Sequence, residues 1–387
     1  MNYVYALISI IVVMLMVCAY IKMTYPFWNL QPVYHTYSRP WRWWYSNPYV
    51  IEPNGHAKNK FYCPTYVITV SYGDMEEDHV HAWMDFMRCH AIPSDRVLWT
   101  TTKEQWHNLV THSPCSSVVS LYHNELGTLQ GCTHSVCYHM NLYGISHNIM
   151  YQDMVCIHRE MSNTTKTLHA LLGTHWVRQF EKHPDMLPVT MLKKEGDLRS
   201  CAGVVPLVKY KSYLFSLARL SKLRHLPENI RCVKMDPVTL DTCMLQAPFH
   251  LKVHPNMFGM IRSEEIFAYC LRQGDNVVAC YFFRDIHTQY EEPSPGTTIA
   301  CIGSFFNNQE DTHVGLFWDG WMHSIRAMVK DKAFCYVLVE GTSHNVGLVP
   351  VALKTLDLIS EPYDAAYYMI NMICPNAPLL PEQCLMF

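Results

Sequence analysis

The sequence predicts a mixed α/β fold in two halves of similar size, preceded by an apolar N-terminal helix. Hydrophobic residues fill 49% of the 387 positions and charged residues 16%, a balance typical of a globular protein with about two domains. Segments with strand-like and helix-like apolar spacing alternate from about residue 61 to the end. The first 21 residues contain no charged side chain.

Residues 1–22 are predicted to form a transmembrane anchor. A helix rising about 1.5 Å per residue reaches, over this segment, the roughly 30 Å needed to cross a bilayer. A cleaved signal peptide would carry a basic start and a small-residue cleavage site, and neither is evident. The basic residues follow the segment instead, namely Lys22, Arg39, Arg42, Lys58 and Lys60. We therefore expect a single-pass membrane protein with its body on the cytoplasmic side.

The segment Trp41-Arg42-Trp43-Trp44 allows two interpretations. Its tryptophans and arginine suit a membrane interface, but they could equally pack into the folded body.

Charge and cysteine usage exclude several classes of partner. A net charge of −3 without a basic run gives no reason to expect a nucleic acid. The sixteen cysteines include no Cys-x-x-Cys pair, and many lie in apolar runs, so we expect them to be reduced and buried. The densest ligand-like cluster is Cys132, His134, Cys137 and His139. Strand alternation would place its two pairs on opposite faces, so no metal site is predicted.

The elements of the first half follow from apolar runs bounded by turn residues. Tyr25-Pro26-Phe27-Trp28-Asn29-Leu30-Gln31-Pro32-Val33 is interpreted as an extended segment, followed by a turn-rich linker to about residue 60. Strands are predicted at 67–72, 117–123, 129–143, 150–158 and 186–192, and helices at 78–89, 102–110 and 165–183. The last helix has Leu168, Leu171, Leu172, Val177 and Phe180 as its apolar residues.

The second half repeats the theme after Arg224-His225-Leu226-Pro227-Glu228. Helices are predicted at 240–249, 263–271, 317–329 and 349–358, and strands at 276–284, 297–306, 333–340 and 365–373. The predicted organisation is therefore an anchor (1–22), an extended leader and linker (23–60), a first half (61–223) and a second half (224–387).

The last residues, Cys384-Leu385-Met386-Phe387, are apolar, whereas a chain end is usually polar and frayed. We expect this tail to turn inward and to carry the α-carboxylate of Phe387 with it. The alternative is a strand that ends in a buried apolar plug.

Six short motifs occur in an order that resembles the glycylpeptide N-tetradecanoyltransferase (N-myristoyltransferase) family. They are the Tyr25–Val33 segment, Met154-Val155-Cys156-Ile157-His158, Cys201-Ala202-Gly203-Val204-Val205, Leu226-Pro227-Glu228, the Tyr367-Tyr368 strand and Cys374-Pro375. The resemblance covers the chain from Tyr25 onward. It implies tandem acyl-CoA N-acyltransferase halves of the GNAT type that together form one N-myristoyltransferase-type fold.

The resemblance also implies a chemistry, in which a myristoyl chain moves from myristoyl-CoA, a co-substrate, to the N-terminal glycine of a peptide or protein. No bound cofactor or metal is implied. The α-carboxylate of Phe387 would be the base, and the backbone amides of Met154 and Val155 would form the oxyanion hole, with Asp153 and Cys201 beside the reacting centre. The residues implied to contact the acyl-CoA are Tyr25, Phe27, Trp28, Cys156, Ile157, Thr164, Thr165 and Lys166.

Several positions depart from the family pattern. Ser162-Asn163-Thr164-Thr165, with Lys166, replaces a basic turn that grips the coenzyme A phosphates, although hydroxyls and helix N-terminal amides also bind phosphate. Asp153 replaces an Asn, Cys201 replaces a Thr, and Glu361-Pro362-Tyr363 replaces a Gly-Asp-Gly.

These departures keep two alternatives open. The chain could be a degenerate transferase fold that binds acyl-CoA, lipid or a protein without catalysis, or Cys201 could be a nucleophile served by a histidine. Asn163-Thr164-Thr165 is also a glycosylation sequon, and a glycan there would place the body in the lumen.

Overall fold

The computed structural model describes residues 2–38, 46–92, 97–160, 164–220, 223–291, 295–307 and 314–387. The Trp41–Trp44 segment and the asparagine of the Asn163 sequon lie outside these ranges, so both predictions remain as they stand.

The helices are α1 (Asn2–Thr24), α2 (Pro26–Asn29), α3 (Glu77–His90), α4 (Lys103–Thr111), α5 (Thr164–Lys182), α6 (Pro237–Gln246), α7 (Met257–Arg262), α8 (Val314–Asp331) and α9 (Asn345–Thr355). The strands are β1 (Tyr49–Val50), β2 (Val67–Ser71), β3 (Val97–Trp99), β4 (Val118–His123), β5 (Leu129–Leu142), β6 (Ile145–Ile157), β7 (Thr190–Glu195), β8 (Val208–Ser216), β9 (Ile230–Lys234), β10 (Leu251–His254), β11 (Ile266–Gln273), β12 (Asn276–Tyr290), β13 (Gly296–Phe306), β14 (Phe334–Glu340), β15 (Asp357–Leu358), β16 (Tyr363–Ile370), β17 (Met372–Ile373) and β18 (Cys384–Met386).

One long mixed sheet runs through the molecule in the order β18-β10-β5-β6-β7-β16-β8-β14-β13-β12-β11-β9. The same sequence of elements occurs twice along it. In the first half the antiparallel strands β4, β5 and β6 lead through α5 to β7, which is parallel to β6. In the second half β11, β12 and β13 lead through α8 to β14, which is parallel to β13. The predicted mixed α/β fold with two similar halves is confirmed.

The two halves exchange strands. Strand β3 of the first half pairs with β12 of the second, while β10 of the second pairs with β5 of the first. The C-terminal strand β18 then pairs in parallel with β10 and contacts β13. This exchange places the C-terminal tail at the contact between the halves.

Local sequence signals fix several helix starts. Thr102 and Gln105 form a reciprocal capping box at the start of α4, since each side chain bonds the other's backbone N–H. Asp236 caps α6 and is followed by Pro237, whose missing N–H costs nothing in the first turn. Helix α5 turns Leu171, Trp176 and other apolar side chains toward the sheet.

Two predicted elements are wrong. The predicted helix at 263–271 is largely strand β11, because Ile266–Leu271 is buried on both faces between β9 and β12 and therefore lacks polar alternation. The helical turn α7 lies just before it, capped by Asn256. The Tyr25–Val33 segment is not fully extended either, because Pro26 starts the short helix α2. Strand β7 begins at Thr190, later than predicted.

Two buried histidines predict that acid destabilises the fold. Burial lowers the pKa of His134 to about 4 and the pKa of His175 to about 3. Between pH 6.5 and these values the unfolded chain binds protons that the folded chain excludes. The free energy of unfolding should therefore fall as pH drops below 6.5, by about 1.4 kcal/mol per pH unit for each histidine. Urea unfolding at pH 7.5, 6.0 and 5.0 measures this slope.

The variant His134→Phe isolates one of these histidines. The His134 ring packs against Trp83 and Trp106, so an apolar ring of similar size suits the site. We expect a shallower dependence on pH in this variant, whereas exchange of the exposed His79 for Gln should leave the slope unchanged. An unchanged slope in His134→Phe would contradict the assignment.

Candidate functional site

A cavity of about 920 Å³ lies where the two halves meet. The leader contributes side chains from α2, the first half contributes α5, β6 and β7, and the second half contributes β12, β14, β16 and the chain end. Residues from both halves of the chain therefore line one cavity.

One end of the cavity is apolar. Phe27, Trp28, Leu168, Leu172 and Leu192 line it and belong to one packed cluster. The Trp28 indole Nε1 donates to the Ser200 carbonyl oxygen at 2.9 Å, which fixes α2 on the wall. The Phe27 ring stacks on that of His169 at 4.3 Å. A surface of this kind suits a hydrocarbon chain.

Strand β6 is irregular where it reaches the cavity. The register with β5 shifts beside Asp153, and Met154 adopts φ 52°, a left-handed conformation that is strained for a residue with a side chain. Asp153, Met154 and Val155 all line the cavity at this bulge. The Met154 N–H donates to the Asp153 carboxylate Oδ1 at 2.8 Å. This backbone donor thus already binds an anionic oxygen.

The chain end lies inside the molecule. Phe387 is 4% exposed, its N–H donates to the Val253 carbonyl oxygen at 3.0 Å, and it lines the same cavity as the β6 bulge. Its ring packs edge-on against Phe282 at 4.9 Å. The inward tail is a consequence of β18 pairing with β10.

An ion network connects the two halves across the cavity wall. The Lys193 ammonium lies 2.7 Å from the Glu340 carboxylate and 2.7 Å from the Glu195 carboxylate. The Tyr210 hydroxyl donates to Glu340 at 3.1 Å. Burial opposes the charge on Lys193, but Glu195 and Glu340 carry its pKa well above the usual value. Lys193 is therefore a cation at neutral pH.

A second titratable cluster also lines the cavity. The His287 imidazole lies 2.8 Å from the Glu265 carboxylate through Nε2 and 3.2 Å from the Asp285 carboxylate through Nδ1. Arg284 precedes Asp285 and His287 on β12. Burial disfavours its charge, but nearby Tyr138 and Asp153 raise the pKa of the guanidinium above its usual value. This part of the wall therefore combines a cation with one buried carboxylate, that of Glu265, and one half-buried carboxylate, that of Asp285.

Sequence reasoning missed Lys193, Glu340, Glu265, Arg284, Asp285 and His287. One signal for the β12 residues is present in the sequence, since Arg284-Asp285-Ile286-His287 continues directly from the apolar run Ala279–Phe283. Charged residues that extend a buried strand often lie at a site. No comparable signal marks Lys193 or Glu340, because these two residues pair with each other from strands that are far apart in the sequence.

Most of the residues predicted for the site share this cavity. They are Phe27, Trp28, Asp153, Met154, Val155, Ile157, Thr165, Cys201 and Phe387. The cavity wall does not include Tyr25, Cys156, Thr164 or Lys166. The Cys156 side chain packs on the other face of β6, with Cys132 as its cross-strand neighbour, because alternate strand residues face opposite sides.

The thiol of Cys201 is poorly suited to nucleophilic attack. Burial raises its pKa, and the side-chain hydrogen bond it makes is with the Ser200 hydroxyl at 3.9 Å. In the part of the chain that the structure describes, no group of three or more His, Cys, Asp or Glu side chains is arranged to hold a metal ion.

No protein-family model and no curated protein matches the sequence. Solved structures match its fold. The crystal structure of Saccharomyces cerevisiae N-myristoyltransferase with bound myristoyl-CoA has a TM-score of 0.67 at 10% identity, over 92% of this chain and 94% of that one. Another structure of that enzyme, with bound myristoyl-CoA and inhibitors, has a TM-score of 0.66 at 9% identity, over 93% of each chain. The chain therefore has the N-myristoyltransferase type of fold.

Proposed function

We propose that this protein is an acyltransferase that moves a long acyl chain, of myristoyl type, from acyl-CoA to the N-terminal glycine of a peptide or protein. The observation that carries the proposal is the single cavity in which an apolar end, a strand bulge with a backbone donor and the chain end come together. A fold shared with an enzyme crystallised with myristoyl-CoA supports it.

Each part of the cavity has a task in this reaction. The acyl chain occupies the apolar end beside Phe27 and Trp28, which places its thioester toward the β6 bulge. The amine nitrogen attacks the carbonyl carbon, and the amides of Met154 and Val155 stabilise the negative charge on the carbonyl oxygen. The Phe387 carboxylate accepts the proton that the amine loses, directly or through water. The carbon–sulfur bond then breaks, and coenzyme A leaves as its thiolate.

The test uses the full chain in detergent micelles with labelled myristoyl-CoA and a peptide that begins with glycine. We expect label on the peptide as an amide that resists hydroxylamine. The same peptide with an acetylated N-terminus is the control, since it lacks the attacking amine. Absence of transfer to the free peptide, under conditions where myristoyl-CoA binds, would reject the enzyme.

One observation favours a second function, binding without catalysis. The Asp153 carboxylate occupies the Met154 N–H, so a thioester oxygen must compete with a resident anion for this donor. A cavity that binds acyl-CoA or a lipid does not need the donor to be free.

The variant Asp153→Asn separates the two functions. Its side chain is neutral, so it competes less well for the Met154 N–H and repels a developing oxyanion less. If the protein is an enzyme, we expect the rate of transfer to rise by about tenfold. The gain is smaller than the 10²–10³ effect of a whole oxyanion donor because the donor is only partly freed. Asp364→Asn, a change in a half-exposed carboxylate that pairs with Lys209 at 3.4 Å, is the control. Myristoyl-CoA binding with no transfer by either the wild type or the variant would favour the binding protein.

A further inference from the structure

The inner end of α1 packs beside a segment that adjoins the cavity. A Cβ atom on Gly203 would lie 3.5 Å from Ile21 Cγ2 and 3.6 Å from the Tyr25 Cβ, which are ordinary contact distances. Gly203 follows Cys201, whose side chain lines the cavity. The last turn of the apolar helix therefore packs on the segment that carries a cavity-lining residue.

The connection between α1 and the cavity is also short and rigid. The Tyr25 N–H donates to the Ile21 carbonyl oxygen at 2.9 Å, and the Asn29 N–H donates to the Tyr25 carbonyl oxygen at 3.1 Å, so one residue separates α1 from α2 and both helices bond to it. Phe27 and Trp28, at the apolar end of the cavity, follow immediately and are 1% and 8% exposed.

Most of α1 is exposed in the structure. The 22 residues Tyr3–Thr24 form a helix long and apolar enough to cross a membrane, and none of its side chains in the most apolar stretch is buried. Lys22 marks its inner end and lies 5.0 Å from the ring centre of Tyr37 on the body. A surface that is apolar all round, with a cation at one end only, matches a bilayer and its interface.

We propose that α1 holds the apolar end of the cavity at the bilayer surface, and that the long-chain acyl donor enters the cavity from the membrane. The proposal rests on the proposed function and adds the source of the donor. A fatty acyl chain dissolved in the bilayer leaves it at the point where α1 ends, which is the point where Phe27 and Trp28 begin the cavity. A helix that served only to target the protein to a membrane would not need to pack on Gly203.

The test inserts a flexible Gly-Ser linker of about six residues between Met23 and Thr24, so that the anchor remains but no longer packs on the body. The control carries the same linker before Asn2, outside the helix. Both proteins are placed in phosphatidylcholine vesicles and given either palmitoyl-CoA, which partitions into the vesicles, or octanoyl-CoA, which stays largely in water. We expect transfer from palmitoyl-CoA to fall on the order of tenfold in the inner-linker variant alone, with transfer from octanoyl-CoA unchanged. The proposal would be overturned if the inner-linker variant transferred from palmitoyl-CoA as fast as the control does. It would also be overturned if that variant lost the same fraction of its transfer with both donors.

A second readout does not require turnover. A long-chain acyl-CoA with a photoreactive diazirine in its chain is added to the same vesicles, and labelled peptides are identified by mass spectrometry. We expect label on the peptide that contains Phe27 and Trp28 in the wild type and in the outer-linker control, and little label in the inner-linker variant. Label with no transfer by any variant would reject the enzyme and keep the membrane route. Equal labelling of all three proteins, or cleavage of α1 from the mature chain, would reject the membrane route.

Discussion

Extension of the chain by Gly-Ser after Phe387 should lower the rate of acyl transfer by about 10²–10⁴-fold, the usual contribution of a positioned general base. The extension turns the Phe387 carboxylate into a neutral amide and moves the new carboxylate out of place. The added residues must also pass out of the cavity, because Phe387 lies inside it and is only 4% exposed. Steady-state transfer from labelled myristoyl-CoA to a glycine peptide measures the loss.

Two controls separate the chemistry from the fold. Thermal unfolding shows whether β18 still pairs with β10, since loss of that strand would lower the melting temperature. Binding of myristoyl-CoA shows whether the apolar end of the cavity is intact. A stable, ligand-binding and fully active extended protein would exclude Phe387 as the base, and the Asp153 and Glu265 carboxylates, which line the same cavity, would then be tested in its place.

The sequence predicted most helices and strands from the spacing and the limits of their apolar runs. Helix α5 was placed to within a residue at each end because its apolar face repeats at helical spacing, and β12, β13 and β14 were found from their apolar runs. Strand β11 was missed because burial on both faces removes the alternation that identifies a strand, and Ile266–Leu271 suits a buried helix equally well.

The site could be predicted in part for a related reason. Backbone groups do not depend on the side chains that carry them, so the motif around Met154 singled out a position on β6 even though its residues differ from the family pattern. The bulge at that position was not predicted and is seen only in the structure. Lys193 and Glu340 could not be found in this way. Their charges are tolerated inside only because β7 and β14 bring them within 2.7 Å, a contact between positions 147 residues apart.

The same contact predicts the largest change in stability. Lys193→Met should lower the free energy of unfolding by about 3–5 kcal/mol, because the Glu340 carboxylate is left buried without its cation. The Lys193 side chain is 18% exposed and that of Glu340 is 5% exposed, so water cannot replace the lost ion pair. Because the pKa of folded Lys193 lies well above its unfolded value, the contribution of the pair is fully present at neutral pH and is lost only as pH rises through the folded pKa.

The double variant Lys193→Met/Glu340→Gln shows whether the loss comes from the unpaired charge. Removing both charges should restore much of the stability, since Gln keeps a hydrogen bond with the Tyr210 hydroxyl and needs no counter-ion. Urea unfolding of the wild type, both single variants and the double variant gives the coupling between the two residues. If the double variant is as unstable as Lys193→Met alone, the lysine acts through its packing, and the ion pair is not what holds β7 and β14 together at the cavity.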